Sequence, residues 1–437
     1  MLTITPWAAL DAAGRRQLLA RPTLTADAER RAQVERILEQ VRADGDATLR
    51  ALTRRFDGAE LGELTVSEAE FAAAEASLPA SLKAAIQRSW NRIRRYHEAT
   101  KPQPLAWQGG PGLVLERAVL PIQRVGLYVP AGSAPLPSTA LMLGVPAQIA
   151  GCPEVVLCTP PKPDGSADPT VLYAARLCGI SRVVKIGGAQ AIAAMAYGTE
   201  TVPRCDKLYG PGNSWVMQAK TLVSSEPGGP AIDLPAGPSE VLVVADASAD
   251  AAIVAADLLS QAEHGPDSQV LCVSPDRAVL EAVAAEVERQ AALLPRAETV
   301  AVALTHARLI LTADMAEALE VANDYASEHL ILNIAEPRSW LGCVRAAGSI
   351  FLGPYAPETL GDYNSGGNHC LPTYGHARAW SGLSVLSFVK LVTVQEVGRE
   401  ALLDIGPDAV EIARAEGLEA HARAVTLRLE RIAGASA

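Results

Sequence analysis

Apolar residues recur at three- and four-residue spacing from about Ala26 to Thr100, as in Val34, Ile37, Leu38 and Val41. That is the period of an amphipathic helix, and it predicts a mainly helical first segment. From Val125 the texture changes to short apolar runs rich in β-formers and separated by helical stretches: VGLYVP at 125–130, EVVLCTP at 154–160 and RVVKIGG at 182–188. Such alternation predicts parallel strands joined by crossover helices. The pattern restarts with EVLVVAD at 240–246, SQVLCVSP at 268–275 and RLILTAD at 308–314, then HLILNI at 329–334 and SIFLG at 349–353. Two α/β units in succession are expected. The Pro- and Gly-rich turns between them, GPGN at 210–213 and PAGPSE at 235–240, stand at strand ends, where open α/β sheets bind ligands. A last helical segment, from about Pro407 to Ile432, reads as a separate tail.

A chain of 437 residues suffices for two or three domains. With 49% apolar and 20% charged residues it is of ordinary globular composition. Its net charge of −11 offers no broad basic surface, so nucleic acid is not an expected partner. The seven cysteines form no CxxC pair and lie mostly in strand-like runs, as reduced core thiols do, which predicts a cytoplasmic chain without disulfides. The first twenty residues carry Asp11, Arg15 and Arg16 without a continuous apolar stretch, unlike a signal peptide. The most apolar stretch, Leu141 to Pro160, is interrupted by Gly144, Pro146, Gly151 and Pro153, so no membrane span is expected.

In LLSQAEHGPDSQV, Gln261 and His264 are three apart at the end of a predicted helix stopped by Gly265 and Pro266, and so share a face. An amide oxygen and an imidazole can both serve zinc; alternatively His264 only faces the helix carboxyl end. In TLGDYNSGGNHCLPT, Asp362 and His369 lie in a predicted Gly- and Asn-rich loop, more often functional than structural. Asp362 can supply a carboxylate to the same metal or make an Asx-turn. Glu328 and His329 stand immediately before an apolar strand. Adjacent proton carriers suit chemistry that removes protons more than once, although solvated loop residues are the commoner explanation. Glu416 and His421 flank Gly417; His421 shares a helical stripe with Leu418, Ala422, Val425 and Leu429, which predicts a core histidine.

Four of the seven histidines, His264, His329, His369 and His421, thus have acidic, amide or glycine-rich neighbours. The nucleotide side is less marked. GxGxxG is absent, and GPGNSW at 210–215 supplies only two of its glycines. KIGGAQAIAA at 185–194 follows a strand and opens a helix, a place for a phosphate or ribose, yet tight packing explains its glycines equally well.

Taken together, SQAEHGPDSQV, YASEHL, GDYNSGGNH-LPT, GLYVPAGSAPLPST, GGAQAIAA, YGPGN and DLPAGPSEV resemble the signature segments of the histidinol dehydrogenase family, in order and over essentially the whole chain. The resemblance implies one zinc per subunit, bound by Gln261, His264, Asp362 and His421. It makes Glu328 and His329 the acid–base pair. Ser239, His369 and Glu416 would contact substrate, together with Gln261, His264, His329, Asp362 and His421. Tyr128, Gln190 and Asn213 match the positions that hold NAD. The implied fold has two related Rossmann-like open-sheet α/β domains, the second inserted in the first, with small helical terminal elements. The boundaries become 1–25 for an N-terminal element, 26–127 with 240–382 for the metal and catalytic domain, 128–239 for the inserted nucleotide domain and 383–437 for a C-terminal tail domain. The family is homodimeric, the tail reaching the partner's site, and oxidises L-histidinol through the aldehyde to L-histidine with two NAD, closing histidine biosynthesis. Other readings remain: the same scaffold acting on another alcohol, a zinc hydrolase needing no NAD, or an inactive relative.

Overall fold

Long apolar runs become parallel strands because a strand covered on both faces needs no polar alternation. The computed structural model describes residues 2–22, 28–131, 135–235 and 237–435; parts of two signature segments, residues 132–134 and residue 236, lie outside the described residues, as do residues 23–27 at the first domain boundary. In chain order the strands are β1 (Ile4–Pro6), β2 (Leu105–Gly110), β3 (Leu113–Pro121), β4 (Arg124–Tyr128), β5 (Glu154–Cys158), β6 (Arg182–Val184), β7 (Lys207–Tyr209), β8 (Ala231–Ile232), β9 (Glu240–Ala245), β10 (Gln269–Ser274), β11 (Arg308–Leu311), β12 (His329–Asn333), β13 (Ser349–Leu352) and β14 (Val389–Val397).

Two compact units divide the chain, Met1–Thr100 with Ile122–Phe388, and Lys101–Pro121 with Val389–Ala437. The first holds two parallel sheets, of order β1-β11-β10-β9-β12-β13 and β6-β5-β4-β7-β8. Since β1 belongs to the six-stranded sheet, the strands of the five-stranded sheet interrupt it in sequence rather than preceding it. Alternation along β9 divides the larger core: Val241, Val243 and Ala245 pack on one face, Leu242 and Val244 on the other. The smaller sheet shares its core with Val34, Ile37, Leu38 and Val41 of the helix Ala28–Asp57, the residues whose spacing predicted that helix.

The second unit is a three-stranded antiparallel sheet, β14-β3-β2, followed by the helices Arg399–Ala415 and Glu419–Gly434. Residues 101–121 therefore join the C-terminal unit, not the α/β portion expected for 26–127, because β3 pairs with β14 along its length. Gly417, which the sequence offered as a break in the helical tail, has φ +74° and separates the two helices.

Candidate functional site

The two sheets present opposite edges to the chemistry. In the five-stranded sheet the strand order reverses between β4 and β7, and the crevice outside their carboxyl ends is where such sheets take ligands. Tyr128 is the last residue of β4, and Gln190 stands in the first turn of the helix Gly188–Tyr197 that follows β6. Asn213 caps the helix Ser214–Ser225 that follows β7, its side chain accepting from Trp215 N and Val216 N. The Tyr128 hydroxyl accepts from Gly188 N at 3.1 Å, and burial pushes its pKa up to about 12. All three line one cleft of about 1170 Å³, which also takes Asp57, His264 and Tyr363.

The GPGN turn is held from beneath. Gly210 has φ +121°, and a Cβ there would lie 2.1 Å from Tyr128 O, so only glycine fits. Lys220 Nζ donates to Gly210 O at 2.9 Å and meets Asp233 Oδ1 at 2.5 Å, while Gly210 N donates to Asp233 Oδ2 at 2.7 Å. One ion pair, 1% and 5% exposed, thus satisfies both backbone groups of Gly210.

The acidic and imidazole groups gather instead at the amino edge of the six-stranded sheet, the reverse of the usual edge for an open sheet. His329 begins β12 and Glu328 precedes it. Both are buried, so the solvated-loop explanation does not hold. His329 Nδ1 faces Glu240 O at 3.1 Å, Glu328 Oε2 at 3.6 Å and Glu358 Oε2 at 3.6 Å, and its Nε2 lies 3.6 Å from Asp362 Oδ1. Burial alone would depress the His329 pKa, but Glu328, Asp362 and Glu358 outweigh it and raise it. Burial also raises Glu328, partly opposed by His329, and takes Glu358 to about 7. For Asp362 burial acts upward, yet the rings of His329, His369 and His264 hold its carboxyl below the usual range.

Gln261 ends the helix Ala251–Ala262 as predicted, and His264 follows with its N–H on Gln261 O at 3.2 Å. Asp362 is not on a loop: it lies on the short helix Glu358–Tyr363, because the Gly- and Asn-rich stretch begins only after it. His369 is in the loop, with Nδ1 3.0 Å from Asp362 O and Nε2 3.4 Å from Thr139 Oγ1. Ser239 is half-buried just before β9. Glu416 and His421 belong to the second unit and are exposed there. His421 is off the predicted core stripe: Ala422 is buried and Val425 and Leu429 half-buried, and one residue turns a helix by about 100°.

Among the described residues no three His, Cys, Asp or Glu side chains converge as a metal shell. The donors in the first unit nonetheless fit one. Gln261 Oε1 is buried without a hydrogen-bond partner, and the amide, the imidazole of His264 and the carboxylate of Asp362 form a mixed nitrogen and oxygen set suited to zinc. The sequence reading missed Glu358, 1% exposed and bonded through Oε1 to Ser260 Oγ at 2.8 Å. Its signal was its spacing, four residues before Asp362.

A family model described as Histidinol dehydrogenase matches residues 20–429. Curated relatives named Histidinol dehydrogenase include one from Xanthomonas axonopodis pv. citri (strain 306), 58% identical over 98% of this chain and 99% of its own. Another, from Aliivibrio fischeri (strain ATCC 700601 / ES114), is 49% identical over 98% of this chain and 96% of its own. The crystal structure of histidinol dehydrogenase from Elizabethkingia anophelis superposes with a TM-score of 0.95 at 42% identity, covering 99% of this chain and 98% of that one.

Proposed function

The chain belongs to the histidinol dehydrogenase family, and on that premise we propose that it oxidises L-histidinol through L-histidinal to L-histidine, reducing two NAD. The observation that carries this reading is the buried Glu328–His329 pair at the edge of a sheet, near His264 of a cleft that also takes Tyr128, Gln190 and Asn213. Hydride transfer needs a base that is kept from bulk water and a dinucleotide beside it.

His329 takes the alcohol proton as hydride passes to the first NAD. Glu328 then removes a proton from the water that hydrates the aldehyde, and His329 again accepts a proton as the hydrate gives hydride to a second NAD. Tyr128, Gln190 and Asn213 hold the dinucleotide. Zinc, held by Gln261, His264, Asp362 and His421, would when bound supply a positive centre that fixes the imidazole and amino nitrogens of the substrate and so orients its carbinol carbon. Ser239, His369 and Glu416 contact the substrate.

His421 and Glu416, exposed in their own unit, suit a homodimer in which each tail completes the partner's site. Leu391, Val392, Val394, Val397 and Ile412 of the same unit are also exposed, apolar side chains of the kind subunit contacts cover. The domain reading changes at several boundaries: β1 goes with the six-stranded sheet, the helix Ala28–Asp57 packs with the five-stranded nucleotide sheet of about residues 122–239, and residues 101–121 go with a tail that begins at Val389. A cytoplasmic location agrees with a biosynthetic role.

Purified, zinc-loaded protein should form two NADH per L-histidine produced, and a chelator should abolish both. Formation of histidine without NADH, or no reaction, contradicts the reading. Glu328→Gln should slow oxidation of added histidinal about a hundredfold or more, with much less effect on the first step; equal losses in the two half-reactions contradict the division of labour between Glu328 and His329.

A further inference from the structure

Arg21 belongs to none of the motifs above, and we infer that it is the positioning residue for the acid–base pair, acting through Glu240 and the turn before Glu328. The inference rests on the reading of Glu328 and His329 as that pair.

Glu240 is the first residue of β9, between β10 and β12. Its backbone holds both bases: Glu240 N donates to Glu328 Oε2 at 2.9 Å, and Glu240 O lies 3.1 Å from His329 Nδ1. A carbonyl only accepts, so this contact fixes the His329 tautomer with its proton on Nδ1, leaving Nε2 toward Asp362. The side chain of Glu240 is in turn gripped by Arg21, Nε to Oε1 at 2.5 Å and Nη2 to Oε2 at 2.9 Å, with the two side chains 10% and 2% exposed. The planar guanidinium matches a carboxylate at two points, a restraint lysine cannot reproduce.

Arg21 also grips the helix end and turn that lead into the other strand. Its Nη2 donates to Tyr325 O at 2.8 Å and to Ala326 O at 3.3 Å. Ala326 has φ +55°, a left-handed conformation that a residue with a Cβ holds only when its surroundings impose it. That turn aims the backbone into Glu328 and His329 two and three residues later. The guanidinium lies 4.1 Å from the Tyr325 ring centroid, and Tyr374 N donates to Glu240 Oε1 at 2.9 Å, so Arg21 has little room to move. One side chain therefore ties the start of β9 to the turn that leads into β12, the two strands whose register sets the distance between the bases and the carbonyl that orients them.

The test uses the full-length, zinc-loaded enzyme with NAD, histidinol and histidinal. Arg21→Met should lower kcat for both substrates about ten- to a hundredfold, as small misplacements of reacting groups do, with KM for NAD within about twofold of wild type and Arg21→Lys intermediate. Placed in a Glu328→Gln, His329→Asn background, Arg21→Met should cause no further loss. If Arg21→Met does not fold, Glu240→Gln, which keeps the side-chain shape and one acceptor for Tyr374 N, carries the same expectation. Full kcat in folded Arg21→Met, or an equal loss in both backgrounds, overturns the positioning role while leaving the acid–base reading standing. Full activity of the Glu328→Gln, His329→Asn enzyme itself overturns both.

Discussion

Replacing His97 by Leu should make the protein less sensitive to acid. His97, on the helix Ala80–Ala99, is 1% exposed, and neither ring nitrogen has a hydrogen-bond partner among the described residues. Burial pushes its pKa from 6.5 down to about 4. The unfolded chain then takes up a proton near pH 6.5 that the folded chain refuses until about pH 4, so the contribution is fully present above pH 6.5 and falls as pH drops toward 4. At 1.36 kcal/mol per unit the whole loss is about 3 kcal/mol, of which about 2 kcal/mol falls between pH 8 and pH 5. Leucine carries no proton and keeps the site filled. Urea denaturation of both proteins, followed by tryptophan fluorescence at pH 8 and pH 5, should show the stability difference moving by about 2 kcal/mol in favour of His97→Leu at the lower pH. An unchanged difference would refute the reasoning, since it would mean that His97 takes its proton equally well in both states.

Three further expectations concern the cleft and the assembly. Gly210→Ala drives a Cβ into Tyr128 O and should raise KM for NAD about tenfold or more, a loss of about 1.4 kcal/mol; unchanged NAD titration would detach the GPGN turn from the dinucleotide. Lys220→Met leaves the Asp233 carboxylate buried and unpaired and should cost about 3–5 kcal/mol of stability, read as a lowered thermal midpoint; an unchanged midpoint would show that water reaches the pair. Mixing an inactive Glu416→Ala, His421→Ala chain with an inactive Gln261→Ala, His264→Ala chain should restore activity in heterodimers, and failure despite proven subunit exchange would count against shared sites.

The parallel strands were legible because burial on both faces leaves nearly unbroken apolar runs: EVLVVAD became Glu240–Ala245 and HLILNI became His329–Asn333. The antiparallel sheet was not. The strands β2 and β14 are almost wholly exposed, and β3 finds its partner far along the chain, so neither a core-facing alternation nor a nearby hairpin signal marks all three. Short strands such as β1 and β8 have too few residues to show a period. Among the buried polar groups, Glu358 and Arg21 were not picked out: a glutamate opening a short helix and an arginine near the start of the chain look solvated until Ser260 and Glu240 are seen to fold against them.

The pairing of β1 with β11 and of β3 with β14 also dictates an order of events on the ribosome. Ile4–Pro6 is made before the other strands yet has no partner until Arg308–Leu311 has been made, and the outer side of β3 in the β2–β3 hairpin stays unpaired until Val389–Val397 appears. The five-stranded sheet, with all its strands within Arg124–Ile232, is the earliest that can close. A nascent chain stalled before Val389 would leave the backbone of β3 unpaired on the side that β14 covers, the kind of edge that templates aggregation. Completion of Val389–Val397 closes the edge of β3, whereas among the described residues β2 and β14 keep their outer edges in the finished sheet.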